Sequence, residues 1–256
     1  MEMMDFSDTG NLNESLSESI VPPILQGSFG IFGNLLALIL LFCYSKSHKW
    51  GAFYKYVFAL AITDLCGLLF HYPVAVTRYA SNFEFDFPEK FCYFDVFLFS
   101  FSFLSSAMIV CAMSCDRLFA VRYPITYRRG NHKTKRVLLA VWIFSAIIAS
   151  FPLLGFGSAK MYYPGTWCFI NFASQRCLDR INTYVYSSLC LLILLITVIA
   201  NTAVIYSICK YDKQDCIISN DFERRRRKND ETYIVTLMLS IVIVFSVCWI
   251  PLVVGT

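Results

Sequence analysis

The chain has 256 residues, of which 57% are hydrophobic and only 16% are charged, and it carries a formal net charge of +4. Together with a mean hydropathy of +0.56, these proportions are typical of membrane proteins and exclude an ordinary soluble domain. The three histidines are scattered, and no metal or nucleophile pattern accompanies them, so we expect no enzyme and no nucleic-acid partner.

Residues 1–19 are acidic and rich in serine, and they contain no Lys or Arg. They include the sequon Asn13-Glu14-Ser15, which marks a glycosylation site on an extracellular segment. We therefore expect an extracellular N-terminal tail over 1–19, glycosylated at Asn13, followed by a transmembrane bundle over 20–256.

Long apolar runs recur through the rest of the chain, and each can cross a hydrocarbon core of about 30 Å as a helix. There are six of them, at 20–44, 53–79, 91–115, 137–156, 183–209 and 233–255. None alternates strictly between apolar and polar residues, as the strands of a membrane barrel would. The sequence therefore predicts an all-α membrane protein with six spans.

The basic residues set the orientation of these spans, because Lys and Arg in short loops stay in the cytoplasm. With the N-terminus outside, the cytoplasmic connections hold 17 of the 22 Lys and Arg. We therefore expect a multi-pass protein with an extracellular N-terminus. The basic run 224–228 precedes the last span, where contact with anionic membrane lipid is expected.

Asp64 is the carboxylate deepest in a predicted span, and intramembrane carboxylates are costly and usually functional. Ser106 reaches a similar depth on the third span, eleven residues before Arg117. Their oxygen atoms suit a hard cation, so an allosteric sodium ion is the one cofactor we consider. The alternative is a protonated or hydrogen-bonded Asp64 without an ion.

Three cysteines are expected outside the membrane, where disulfides form. We expect Cys92 to pair with Cys168, which would hold the loop across the mouth of the bundle with Thr166 and Trp167 above the core. The alternative is a bond that only stabilises the loop. The leftover Cys177 receives no role.

Asp116-Arg117 follows Cys92 by about 37 Å of helix, so Arg117 is expected at the cytoplasmic face. Glu231 lies at the cytoplasmic end of the last span, and an ion pair with Arg117 would form a latch between two helix ends. The alternative is two solvated charges. In the same last span Pro251 predicts a kink beside Trp249, which completes a candidate switch.

One ordered set of motifs resembles the rhodopsin-like (class A) G-protein-coupled receptors. The set consists of Gly33-Asn34, Leu60 to Asp64, Cys92, Asp116-Arg117, Trp142, Cys168 and Cys248 to Pro251. The resemblance implies a seven-transmembrane receptor bundle, here expected to be truncated after the sixth helix, and a heterotrimeric G protein as partner. Arg117 and Ile125 would contact that G protein.

Within this class, Gly165-Thr166-Trp167-Cys168-Phe169-Ile170 is similar to the second extracellular loop of the prostanoid receptors. This resemblance implies a prostanoid ligand, prostaglandin E2 in the first place, and a stimulatory G protein that raises cyclic AMP at the plasma membrane. Thr166 and Tyr79 would hold the ligand carboxylate, and the rest of the ligand would lie against Trp167, Phe99 and Trp249.

Several alternatives remain. Another lipid, a peptide ligand or a truncated isoform that does not signal would each fit the class. An amine receptor needs a third-helix carboxylate at the position of Phe99, although an inward-facing Asp95 would revive that idea. A transporter or channel is disfavoured, because the sequence shows no internal repeats or rings of charge.

Overall fold

The computed structural model describes residues 21–44, 51–85, 88–129, 133–162 and 165–214. Within these ranges the chain forms six helices and two strands: α1 (Val21–Tyr44), α2 (Ala52–Ala80), α3 (Glu89–Arg122), α4 (Pro124–Arg129), α5 (Thr134–Ala149), β1 (Ala159–Tyr162), β2 (Trp167–Ile170) and α6 (Cys177–Gln214). The predictions made for Asn13, Glu231, Trp249, Pro251 and the span 233–255 lie outside the described residues.

Four of the described helices are long and apolar enough to cross a membrane: Pro23–Cys43, Ala52–Ala80, Glu89–Arg122 and Cys177–Ile208. They coincide with four of the predicted spans. The span predicted over 137–156 is shorter, since α5 ends at Ala149 and turns follow. Pro152 has no amide hydrogen to continue the helical bonding, and Gly155 lies in the left-handed region with φ of +85°.

Helix α3 is the centre of the bundle, where it packs against α2, α5, α6 and both strands. Its serines at 100, 105 and 114 are fully buried, and such small side chains allow neighbouring helices to approach closely. Helix α1 packs on α2 and leaves large apolar side chains such as Phe29 and Phe32 exposed, as expected for a lipid-facing helix.

Two apolar clusters pack along α3. The outer cluster includes Val96, Leu104, Phe169, Tyr186 and Ile193, and it joins α3 and α6 to strand β2. The inner cluster joins α2, α3 and α5 through Ala52, Tyr56, Ala59, Ile109, Met113, Leu138 and Val141. The two clusters fix the outer and inner ends of the bundle separately.

A two-stranded antiparallel sheet covers the outer cluster, where the sequence predicted only a loop. Tyr162 pairs with Trp167 and Met161 pairs with Cys168. The rings of Tyr162 and Trp167 stack with centroids 5.1 Å apart, a cross-strand contact that stabilises such pairs. Three consecutive β2 residues, Cys168 to Ile170, are buried, so this hairpin is packed into the bundle.

Candidate ligand-binding and signalling sites

Strand β2 is attached to the outer end of α3 by two links. Cys92 of α3 and Cys168 of β2 form a disulfide with their Cα atoms 5.4 Å apart. Asp95, one turn further along α3, accepts a hydrogen bond of 2.9 Å from the backbone N–H of Cys168. The hairpin is thereby held over the bundle. Cys177 is exposed and has no disulfide partner among the described cysteines.

Thr166 lies immediately before β2 and is only 8% exposed. The residue before it, Gly165, has a φ of +90°, a conformation that L side chains rarely adopt. After Thr166, the Trp167 ring lies 5.6 Å from the ring of Phe99 on α3. The turn therefore places the buried Thr166 next to Trp167, an aromatic residue of the hairpin that packs on α3.

The outer end of α2 reaches this turn through Arg78, which is buried. Its Nε atom donates a hydrogen bond of 2.9 Å to the carbonyl oxygen of Gly165, and its guanidinium also donates to the carbonyl of Phe85. The next residue, Tyr79, is half-buried and packs edge-on against Phe83 at 5.1 Å. The structure thus brings the helix end that carries Tyr79 to the turn that carries Thr166.

Asp95 faces the interior and is only 3% exposed. Its Oδ2 atom accepts the Cys168 N–H, and its Oδ1 atom lies 2.8 Å from Nδ1 of His71 on α2. Both carboxylate oxygens are therefore engaged. The inward orientation that would revive an amine receptor is present, but the carboxylate is already occupied by His71 and the hairpin.

Phe99 is the centre of an aromatic group below the hairpin. Its ring lies 5.0 Å from His71, 5.6 Å from Trp167, 5.1 Å from Phe169 and 6.2 Å from Phe103. These contacts join α2, α3 and β2 through apolar surface. The group therefore forms an apolar contact between the hairpin and the helical bundle.

Midway along the bundle, the Ser106 hydroxyl of α3 donates a hydrogen bond to the Asp64 carboxylate of α2. The neighbouring Thr63 hydroxyl accepts a hydrogen bond of 3.1 Å from the indole N–H of Trp142. The Asp64 carboxylate and the Ser106 hydroxyl offer oxygen ligands, which suit a sodium ion better than a transition metal. The described residues contain no group of three or more His, Cys, Asp or Glu placed for a metal.

At the inner end of α3, Arg117 and Asp116 form an ion pair of 2.9 Å. Tyr127 of α4 joins them, because its hydroxyl donates to Asp116 over 2.9 Å and accepts from Arg117 over 3.2 Å. Burial, partly opposed by the Arg117 charge, raises the pKa of Tyr127 to about 12. The phenol therefore remains a donor at neutral pH.

Ile125 lies on the same short helix as Tyr127 and is 69% exposed. A single exposed apolar side chain is ordinary on a protein surface, so the predicted G-protein contact of Ile125 stays a prediction. The guanidinium of Arg117 also lies over the ring of Phe53, 5.4 Å from its centroid. Since Glu231 is outside the described residues, the latch with Arg117 stays a prediction.

The sequence model of the family described as "7 transmembrane receptor (rhodopsin family)" matches residues 33–256. The chain belongs to the rhodopsin family of seven-transmembrane receptors. The fold agrees with this, because the crystal structure of squid rhodopsin superimposes with a TM-score of 0.75 over 95% of this chain and 70% of that one, at 19% identity. The helical receptor fold and the expectation that the chain is not an enzyme are both confirmed.

Among the relatives of this rhodopsin-family receptor are two kinds of prostanoid receptor. The human "Prostaglandin E2 receptor EP4 subtype" is 30% identical over 205 residues, which are 78% of this chain and 41% of that protein. The rat "Prostacyclin receptor" is 32% identical over 232 residues, which are 87% of this chain and 55% of that protein. The chain spans about half the length of these relatives. Its similarity to prostanoid receptors is thereby confirmed.

Sequence reasoning missed three residues that the receptor structure places in these sites. Arg78 and Tyr127 received no role, and His71 was treated only as one of three scattered histidines. The Arg78-Tyr79 pair at the end of a span was a usable signal for an anion site. The contacts of His71 with Asp95 carried no comparable signal, because the two residues lie on different helices.

Proposed function

We propose that this rhodopsin-family receptor binds a prostanoid, with prostaglandin E2 as the first candidate. The observation that carries the proposal is the buried turn at Thr166, whose neighbour Gly165 is hydrogen-bonded to Arg78 beside Tyr79. The named ligands of its relatives, prostaglandin E2 and prostacyclin, support the same ligand class.

In this proposal the ligand carboxylate accepts hydrogen bonds from the hydroxyls of Thr166 and Tyr79. Hydrogen bonds to an ionised acceptor are stronger than neutral ones, and the nearby Arg78 guanidinium makes the region favourable for an anion. The carbon chain of the ligand lies below the hairpin against Phe99 and Trp167, where its apolar surface is removed from water. Trp249 is proposed as a further contact from the predicted last span.

Signalling follows if the bound ligand favours a state in which the last predicted helix moves outward, which requires tighter binding to that state. The kink at Pro251 would allow the movement, and the Arg117–Glu231 latch would open. Arg117 and Ile125 would then contact the stimulatory G protein, which raises cyclic AMP. We propose the plasma membrane as the location, with the N-terminus outside.

The sodium site stays a proposal of its own. Asp64 and Ser106 would hold the ion with their oxygens, and water would complete its coordination. The hydrogen bond between the two side chains supports this proposal, because it brings their oxygen atoms close together. Bound there, the ion would supply positive charge between α2 and α3 and favour the inactive arrangement.

Competition binding on cells that express the full natural coding sequence tests the ligand. Thr166→Ala should weaken carboxylic acids about tenfold or more, because a hydrogen bond to a charged group is lost, and should weaken the matching methyl esters much less. The exposed Thr77 bonds only to its own helix and serves as the matched control, Thr77→Ala. Equal losses for acids and esters would contradict the anion contact.

The coupling is tested separately. Prostaglandin E2 should raise cyclic AMP in these cells, and deletion of the stimulatory α subunit should abolish the response. A response that survives this deletion would contradict the proposed G protein and leave the ligand assignment intact.

A further inference from the structure

Helix α5 has two opposite faces. One face is buried in the bundle and consists of Thr134, Leu138, Val141, Ser145 and Ala149. The opposite face carries Leu139, Ile143 and Ile147, which are large and apolar and yet between 52% and 56% exposed. Since α5 packs against the membrane-spanning α3, these three residues form a lipid-facing stripe that contacts acyl chains.

Arg136 continues the lipid-facing stripe at the start of α5. It is exposed, and it precedes Leu139, Ile143 and Ile147 by three, seven and eleven residues, which is the spacing of one helix face. Its Cα atom lies about 4.5 Å beyond that of Leu139 along the helix axis. Side chains of a helix lean toward its N-terminus, so the guanidinium points beyond the stripe. Arg136 is thereby placed at the headgroup of a lipid whose acyl chain lies on the stripe.

The positive charge at this place is concentrated and not neutralised by the protein. Lys133 and Lys135 are exposed on either side of the same turn, so that three basic side chains, here called the basic triplet, surround the start of α5. The first turn of α5 contains no acidic residue, and the sequence between Asp116 and Asp179 contains no Asp or Glu. Asp116 is itself paired with Arg117. The basic triplet therefore attracts an anion from outside the protein.

The arrangement restricts the chemistry of that anion. A guanidinium binds phosphate oxygens in a bidentate manner, and three basic groups suit a headgroup with more than one phosphate better than a headgroup with a single net charge. A free inositol phosphate would satisfy the charges but would make no use of the apolar residues next to them. A lipid uses both, because its headgroup and its acyl chain are joined in the order in which the basic triplet and the stripe follow each other.

We propose that the start of α5 binds a polyphosphorylated inositol lipid, with its phosphates on the basic triplet and one acyl chain along the lipid-facing stripe. The proposal goes beyond the prostanoid ligand and does not depend on it. It uses the orientation proposed above, in which the start of α5 lies in the cytoplasmic leaflet. The site is also separate from the basic run 224–228, for which lipid contact was predicted from the sequence.

The test uses the full-length receptor, purified and placed in phosphatidylcholine nanodiscs. The probe is a phosphatidylinositol bisphosphate with a photoreactive diazirine in one acyl chain, present below saturation, and mass spectrometry locates the crosslinks. In the natural receptor we expect crosslinks on the lipid-facing stripe. Lys135→Gln combined with Arg136→Gln should lower their yield about 25-fold, because each basic side chain near an anionic lipid contributes about fivefold in affinity. Arg136→Gln alone should lower it about fivefold, and it decides the question if the double variant fails to fold.

The matched control removes two exposed basic residues near the hairpin, Arg176→Gln with Arg180→Gln, and should leave the crosslinks on α5 unchanged. A phosphatidylserine probe with the same photoreactive chain should label the stripe at least fivefold less. Soluble inositol trisphosphate should displace the probe far less well than the unlabelled lipid.

Three outcomes would overturn the proposal: equal labelling by the two probes, an equal loss in the control variant, or equal displacement by inositol trisphosphate and the unlabelled lipid. The last outcome would assign the basic triplet to a free inositol phosphate. None of these results changes the prediction for prostaglandin E2, and absence of prostanoid binding would leave the lipid site standing.

Discussion

Arg78 and Gly165, 87 residues apart in the sequence, are joined by a hydrogen bond of 2.9 Å from the Arg78 Nε atom to the Gly165 carbonyl oxygen. A Cβ atom at Gly165 would lie 3.3 Å from the same guanidinium. The turn before Thr166 is therefore shaped by a side chain of the second span as well as by its own backbone.

Replacing Arg78 should disturb the position of Thr166. Arg78→Ala removes two hydrogen bonds to backbone carbonyls, and we expect affinity for carboxylate ligands to fall at least tenfold. Arg78→Lys keeps the positive charge but lacks the planar guanidinium, whose N–H groups reach both carbonyls, and it should recover only part of the lost affinity. Competition binding measures both variants, and the exposed Arg180→Ala should match the natural receptor. If the lysine variant recovered the full ligand affinity, a role for the two guanidinium hydrogen bonds would be contradicted.

Gly165→Ala should destabilise the hairpin turn, because it forces a side chain into a left-handed conformation at a cost of about 1–2 kcal/mol and crowds Arg78. Thermal unfolding of the purified receptor should occur at lower temperature. At Gly33 an added Cβ meets nothing within 4 Å, so Gly33→Ala is the matched control and should not lower the unfolding temperature.

Tyr127→Phe should raise basal signalling. The substitution removes the hydroxyl that donates to Asp116 and accepts from Arg117, at a cost of about 1 kcal/mol, and it frees Arg117 to adopt other positions. Ligand-free cyclic AMP at matched surface expression is the measurement, and the exposed Tyr123→Phe is the control. Since the pKa of Tyr127 is raised to about 12, the contact should not change between pH 6 and 9.

Asp64→Asn should abolish the effect of sodium on agonist affinity. In the natural receptor, replacing choline by sodium at constant ionic strength should lower agonist affinity, because the ion favours the inactive state. Ser106→Ala removes one oxygen donor and should weaken the sodium effect without eliminating it. If the asparagine variant still responds to sodium, the ion binds elsewhere.

Glu231→Ala in the full-length receptor should raise basal cyclic AMP, because the predicted latch with Arg117 can no longer form. The neighbouring Asp230→Ala keeps the change in charge but leaves Glu231 in place, and it should behave like the natural receptor. Unchanged basal signalling in the Glu231 variant would rule out the latch.

The sequence by itself determined the membrane class, four of the described spans and the receptor family. These properties are local, since a long apolar run must cross the hydrocarbon as a helix and short motifs keep their order along the chain. The pairing expected for Cys92 and Cys168 also agrees with the disulfide in the structure, because few cysteines were expected outside the membrane.

Only the tertiary structure decided how the site is built. It folded the predicted loop into a hairpin, ended α5 at Ala149, and placed Arg78 on Gly165 and His71 beside Asp95. Each of these side-chain contacts joins residues on different elements of the chain. The length of each apolar run predicts how long a helix is. The rotation and height of one helix against another come from packing, and they determine which polar atoms meet.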